Sequence, residues 1–180
     1  LVDLRRGGIE RITETGIQTT QCHYELDVIV FATGFDAMTG ALARMDIRGR
    51  DGAALRDAWT DGPRTYLGLQ IAGFPNLLTV SGQGSPSVLA NMVVCSEQHV
   101  EWIGACLTYL RDHGFTTVEP TPEGQDAWVE HVNEIAQGTM YTAPTCDSWY
   151  LGANVPGKPR VILPYVGGLP TYIEKVEAIA

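Results

Sequence analysis

Residues 82–87 read Gly82-Gln83-Gly84-Ser85-Pro86-Ser87 and stand between a short apolar run (77–80) and a helical pattern starting at about Val88. Strand, glycine loop and helix in that order carry backbone N–H groups up to a bound cofactor. The loop opens like a dinucleotide fingerprint. Ser87, however, takes the place of the third glycine, and Pro86 stiffens the turn. No acidic residue in a second strand about 20 positions on completes the unit, because that region is helical. On pattern alone, a cofactor loop and an ordinary strand-to-helix turn are equally open.

Two further stretches carry groups that could meet a ligand. In Ala32-Thr33-Gly34-Phe35-Asp36, Gly34 permits a sharp turn or a close backbone approach. A plain strand end is the alternative there. Residues 139–159 show no clean period and hold Asp147-Ser148-Trp149-Tyr150, then Asn154, Pro156, Gly157 and Lys158. About 20 irregular residues in a compact domain more often form a lid or binding loop than filler. Aromatic, amide and lysine groups together suit a nucleotide.

Other reactive types read as structural. His99 has no second ligand at i+4, so a solvated or core-edge side chain is expected, and no metal. His131 between Glu130 and Glu134 reads as a wet helix face. Cys22, Cys95, Cys106 and Cys146 are far apart with no C-x-x-C, which removes zinc and thioredoxin readings. Four unpaired thiols suit a reducing cytoplasm.

The positioning elements follow from periodicity. Residues 9–13 and 17–20 read as strands around Glu14-Thr15-Gly16. Residues 24–32, with Val28-Ile29-Val30-Phe31, predict the strongest strand, covered on both faces. Residues 65–71 and 77–80 predict strands, as does 160–165 despite Pro164. Leu89, Met92, Val93, Val100, Ile103, Leu107 and Leu110 space an amphipathic helix that Gly114 ends. Thr121-Pro122 opens a second helix, with Trp128, Val132 and Ile135 as its apolar stripe and Gly138 at its end. A last helix is expected over 171–180.

The chain has 180 residues, 44% of them hydrophobic, and a net charge of −9. That composition is globular, and no apolar run approaches the ~20 residues of a membrane span. The acidic balance argues against nucleic acid, whose phosphates need a basic face. The chain begins at Leu1 in mid-pattern, so a fragment is expected.

Longer segments carry a resemblance. Residues 27–42 (DVIVFATGFDAMTGAL), 62–76 (GPRTYLGLQIAGFPN), 73–103 (GFPNLLTVSGQGSPSVLANMVVCSEQHVEWI), 130–136 (EHVNEIA) and 147–172 (DSWYLGANVPGKPRVILPYVGGLPTY) are similar, in order, to the C-terminal part of Baeyer–Villiger monooxygenases. The resemblance implies an α/β fold: the C-terminal portion of a flavoprotein with two dinucleotide-binding (Rossmann-like, FAD and NADP) domains, with mixed strands and two long helices. Residues 1–34 would end the NADP-binding domain. Residues 35–180 would continue the FAD-binding domain, with a mobile control loop at about 139–159. Such enzymes use FAD, NADPH and O2 to insert one oxygen next to a ketone carbonyl through a C4a-peroxyflavin.

Site roles come with the resemblance. Ser87, Val88, Leu89 and Ala90 would shape the ketone pocket, and Met92 would sit beside the flavin ring. The first turn of the helix would offer N–H groups to the flavin's carbonyl end. Where the nearest family pattern has a small residue, Val88 is larger and could narrow or redirect the pocket. Thr33 and Gly34 would lie near cofactor, Asp36 would hold the turn, and Trp149 would contact the nicotinamide cofactor. Both GxGxxG fingerprints and the family fingerprint are missing. The catalytic arginine is expected upstream of Leu1, since Arg5 and Arg6 fall too late. No catalytic residue is therefore assigned in this chain. The missing N-terminal part of the same enzyme would be its partner, and the piece alone would be inactive. An N- or S-oxygenating flavin monooxygenase and a non-catalytic binding module are the rival readings.

Overall fold

A computed structural model describes every residue except Thr33, Phe35, Cys146 and Ala180. The chain divides into two compact units, Leu1–Gly34 and Phe35–Ala180.

The first unit is built on an antiparallel meander of β1 (Ile9–Thr13), β2 (Gly16–Thr19) and β3 (His23–Glu25), paired in the order β1-β2-β3. Thr13 faces Gly16 and Ile12 faces Ile17, so Glu14-Thr15 forms the tight connection. Gly16 has φ +154, and a Cβ there would fall 1.9 Å from the Tyr24 carbonyl oxygen, so only glycine lets β3 close on this turn. The long strand expected over 24–32 is confined to β3. Val28, Val30 and Phe31 are 76%, 81% and 69% exposed. A ladder needs at least one paired neighbour, and among the described residues none flanks 27–32.

Among the described residues the second unit carries five helices: α1 (Gly40–Arg44), α2 (Leu55–Ala58), α3 (Met92–Asp112), α4 (Pro122–Ala136) and α5 (Leu169–Glu177). Its main core joins Leu67 and Leu69 to Trp128 and Val132 of α4, Tyr165, and Tyr172 and Val176 of α5. Leu55, Trp59, Ile71 and Phe74 form a smaller cluster. The two long helices expected from the sequence are present. Thr121 caps α4 by accepting the Gly124 N–H at 3.1 Å, with Pro122 in the first turn. Gly114, φ +70, follows the end of α3 in the left-handed region.

The expected strands of this unit become something else. Residues 65–71 reverse direction. Tyr66 and Gln70 pair as an isolated bridge, and Leu67 (φ +60) and Gly68 (φ +71) form the tip. Two consecutive positive φ values make a type I′ reversal, which an alternating apolar pattern does not reveal. Residues 77–80 stay extended with one bridge, Gln70 to Leu78, and Thr79 N–H donates to Leu69 C=O at 2.9 Å. Residues 160–165 are extended between two partners without a regular ladder. Val161 and Leu163 donate to Leu151 and Tyr150, while Leu163 accepts from Gly84.

The first long helix starts later than expected. Residues Ser87–Leu89 make a single 3-10 turn, Ala90 is extended, and α3 begins at Met92. Asn91 causes this. Its Oδ1 accepts the Val93 and Val94 N–H groups at 3.1 and 3.4 Å, satisfying two orphan donors at that point.

Leu69 is fully enclosed in the main core, so Leu69→Ala should cost about 2–5 kcal/mol. Thr121→Ala should cost about 1 kcal/mol. Urea unfolding checks both as lower midpoints at constant slope, and equal midpoints for the two variants would contradict this ordering.

Candidate functional site: the glycine loop and its supports

The loop over 81–90 lies directly on the 65–70 reversal. A Cβ at Gly68 would fall 2.7 Å from the Ser85 Cβ and 2.8 Å from the Gly82 oxygen. A Cβ at Gly82 would fall 2.4 Å from the Gly68 oxygen. Two glycines thus let backbone meet backbone. Side chains then tie the layers. Thr65 Oγ1 donates to the Gln83 carbonyl, Thr79 Oγ1 to the Gly68 carbonyl at 2.8 Å, and Ser85 Oγ to the Gly82 carbonyl at 2.7 Å. From the other side, the Gly84 N–H reaches Leu163 C=O at 2.7 Å, and Trp128 Nε1 donates to Gly84 C=O at 3.1 Å. Gln83 Nε2 donates to the Met38 carbonyl. Ser85, Pro86 and Ser87 are fully buried. This is a pinned loop, not an open phosphate cradle.

Both ends of the loop are strained. Ser81 has φ +53 and Ser87 φ +43. A non-glycine residue held there costs about 1–3 kcal/mol and persists only when its surroundings over-determine it. The surroundings are a buried polar group on α3. The Ser81 N–H donates to His99 Nδ1 at 2.8 Å. His99 Nε2 lies 2.8 Å from Tyr172 Oη, which donates to Leu67 C=O at 2.6 Å. Burial raises the Cys95 thiol pKa, against smaller lowering contributions from the Ser87 backbone and the Ser81 hydroxyl. Burial likewise pushes the Tyr172 hydroxyl up. His99 is 0% exposed, so the expected solvated or core-edge histidine is corrected. The helical pattern placed its backbone, but which α3 face is covered depends on α5 and the 65–70 reversal. Cys95 four residues earlier on the same face was the readable hint.

Of the predicted site residues, Ser87 is buried, Val88, Leu89 and Ala90 are half-buried, and Met92 is 47% exposed. They are contiguous at the entry to α3. The N–H groups of the first α3 turn are not all on offer, because Asn91 already takes two. That corrects the expectation of a helix start at Val88 with a free first turn. Trp149 opens a 3-10 turn (Trp149–Leu151) whose Tyr150 N–H is accepted by Ser148 Oγ at 3.2 Å. Its indole lies 4.4 Å from the Tyr150 ring. Among the described residues no hydrogen bond or ring contact joins Trp149 to the segment 87–92. Gly34 has φ +76, a conformation glycine adopts freely. Thr33 lies outside the described residues.

Asp36 holds its turn as expected. It accepts from Thr39 Oγ1 at 3.1 Å and pairs with Lys158 Nζ at 2.5 Å. Burial acts to raise its pKa, but Lys158 and Thr39 outweigh it and keep the carboxyl below its usual range. The pair bridges the start of the unit to the 139–159 segment. Thr39, Trp59, Gly62, Lys158, Val161 and Leu163 line part of a cavity of about 250 Å³ beside it.

Proteins similar to this chain in sequence and fold are monooxygenases. The chain is 49% identical over 171 residues to acetone monooxygenase (methyl acetate-forming) of Gordonia sp. (strain TY-5), spanning 94% of this chain and 32% of that protein. It is 37% identical over 181 residues to phenazine N-monooxygenase PhzNO1 of Lysobacter antibioticus, spanning 100% of this chain and 33% of that protein. Its fold matches oxidized steroid monooxygenase bound to NADP (TM-score 0.84, 49% identity, 99% of this chain, 33% of that one). It also matches OTEMO in complex with FAD and NADP (TM-score 0.87, 41% identity, 99% and 32%). No family model matches. The chain is homologous, at 36–49% identity, to Baeyer–Villiger monooxygenases and spans about a third of the length of these relatives.

Burial pulls His99 from 6.5 to about 4. The native state therefore refuses a proton that the unfolded chain binds across that window. The associated stability is complete above about pH 6.5 and is lost as pH falls toward 4. Urea midpoints measured across this range should drop for the native sequence and drop less for His99→Gln. Equal slopes in the two proteins would contradict a neutral, buried His99.

Proposed function

We propose that this chain is the C-terminal third of an NADPH- and FAD-dependent Baeyer–Villiger monooxygenase that converts a ketone to an ester or lactone. The observation that carries the reading is the pinned loop with strained Ser87, followed directly by a half-exposed Met92. A pocket wall must hold its shape while it excludes water, and a loop bonded on both sides does so. The names of the relatives supply the chemistry: acetone is oxygenated by one, and another is solved with FAD and NADP.

The residues present fit a flavin in one respect that the structure offers. The loop is buried and tied at its back, while the α3 entry presents Met92, Val93 and Val94 outward. Bound FAD, reduced by NADPH, supplies the chemistry that activates O2. Met92 would flank the flavin and the substrate. Ser87, Val88, Leu89 and Ala90 would shape the ketone pocket, with Val88 the residue that narrows it. Gly34, and Thr33 beside it, would let the backbone approach cofactor where an NADP-binding domain (1–34) passes into an FAD-binding one (35–180). Trp149, on a control loop at about 139–159, would contact the nicotinamide cofactor, and the Lys158–Asp36 pair would set where that loop is anchored. The catalytic cation would come from the rest of the parent enzyme.

An N-oxygenating parent is the second reading, because the phenazine N-monooxygenase matches the chain end to end. Every relative reported above is a monooxygenase, which leaves the binding-module alternative unsupported. Among the described residues no helix is long and apolar enough to cross a membrane. Free Cys22, Cys95 and Cys106 suit a cytoplasmic setting.

The full-length parent, given NADPH, O2 and panels of ketones and N-heteroaromatics, should form esters or lactones. N-oxides alone would favour the second reading. NADPH consumed to peroxide with no oxygenated product would end both. In that parent, Met92→Gly and Val88→Ala should change the ketone preference, and an unchanged product profile would remove their pocket role. Residues 1–180 purified alone should be colourless, and a yellow, flavin-loaded preparation would contradict the shared-site reading.

A further inference from the structure

Cys95 and His99 lie one helical turn apart on α3, both fully buried, and His99 holds one end of the glycine loop. His99 Nδ1 accepts the N–H of Ser81 at 2.8 Å. Ser81 is one of the two left-handed serines that bound the loop. The bond directions around His99 follow from chemistry. Nδ1 is an acceptor, so the neutral ring carries its proton on Nε2 and donates to Tyr172 Oη. Tyr172 spends its own proton on Leu67 C=O, at the tip of the reversal under the loop. Every polar atom of His99 is thereby used, and α5, α3, the reversal and the loop meet at one imidazole. Its second contact with sulfur, Cys95 Sγ to Nε2 at 3.7 Å, closes the group. No carboxylate, lysine or arginine bonds to it among the described residues.

We infer that His99 is a positioning residue: it fixes Ser81 from α3, ties that fixation to Tyr172 of α5, and so sets the shape in which the loop presents Ser87–Leu89. Its consequence for substrate choice rests on the pocket reading above; its hold on the loop does not. Glutamine can replace it in kind. An amide oxygen accepts the Ser81 N–H and the amide nitrogen donates to Tyr172. Leucine fills much of the space and does neither.

The test uses the full-length parent with FAD bound and two readouts. The first is hydrogen exchange of the peptide over 81–90, with α4 as internal reference. The second is the product ratio from an unsymmetrical ketone, with KM and kcat measured separately. His99→Leu should speed exchange in 81–90 about tenfold while α4 keeps its rate. It should also shift the product ratio and raise KM more than it lowers kcat. His99→Gln should return both readouts to near the native values. Tyr172→Phe, which removes one oxygen, should speed loop exchange to an intermediate degree and is decisive if His99→Leu does not fold. Native exchange over 81–90 in a folded His99→Leu or Tyr172→Phe overturns the inference. So does a glutamine variant as impaired as the leucine one. Faster loop exchange with an unchanged product ratio overturns the link to the pocket. Faster loop exchange in a parent that oxygenates no ketone leaves the positioning role standing and ends the pocket reading instead.

Discussion

Direct contact between two backbones organises the second unit. The reversal at Leu67-Gly68 and the loop at Gly82–Ser85 approach so closely that a methyl group on either glycine would collide with the other segment. At that spacing the carbonyls of both segments lose water, so each needs a protein donor. Thr65, Thr79, Ser85 and Trp128 supply those donors. The main core is then the packing that brings Trp128, Tyr165 and Tyr172 to the right places around this contact. Trp128 stacks on Tyr165 at 5.3 Å and keeps its N–H for the loop, so one side chain serves both the apolar and the polar requirement.

What could be read from the sequence follows from how local each cause is. The α4 start was legible because Thr121 and Pro122 act within one turn. The end of α3 was legible because Gly114 needs only its own backbone. The β1–β2 hairpin was legible from the turn signal at Glu14-Thr15-Gly16. The strand over 24–32, the strand over 65–71 and the free helix start at Val88 were not borne out. In the first, apolar and β-branched residues promise a strand but cannot supply its neighbours. In the second, two residues at positive φ reverse the chain, and a leucine at one of them gives no warning. In the third, Asn91 outcompetes continuation of the turn by taking two donors.

The site was legible to a lesser extent. Contiguous residues such as Ser87 through Met92 could be marked by motif, since the motif is itself contiguous. The support behind them could not. His99, Tyr172 and Leu67 are far apart in sequence, and each has an unremarkable local reading. Only the packing of α5 against α3 turns a helix-face histidine into the holder of Ser81. Buried polar groups of this kind matter most when complete, because a half-satisfied group in a dry core destabilises it.

Val28-Ile29-Val30-Phe31 has a different consequence. Four β-forming residues in a row, uncharged and free of proline, lie mostly in water, with no ladder beside them among the described residues. Such a segment is adhesive to any extended peptide that meets it, including the same segment in another molecule. A cell making this polypeptide by itself would therefore have to contend with clumping during synthesis, and its yield would be governed by this tetrapeptide's sociability more than by the strength of the helical core.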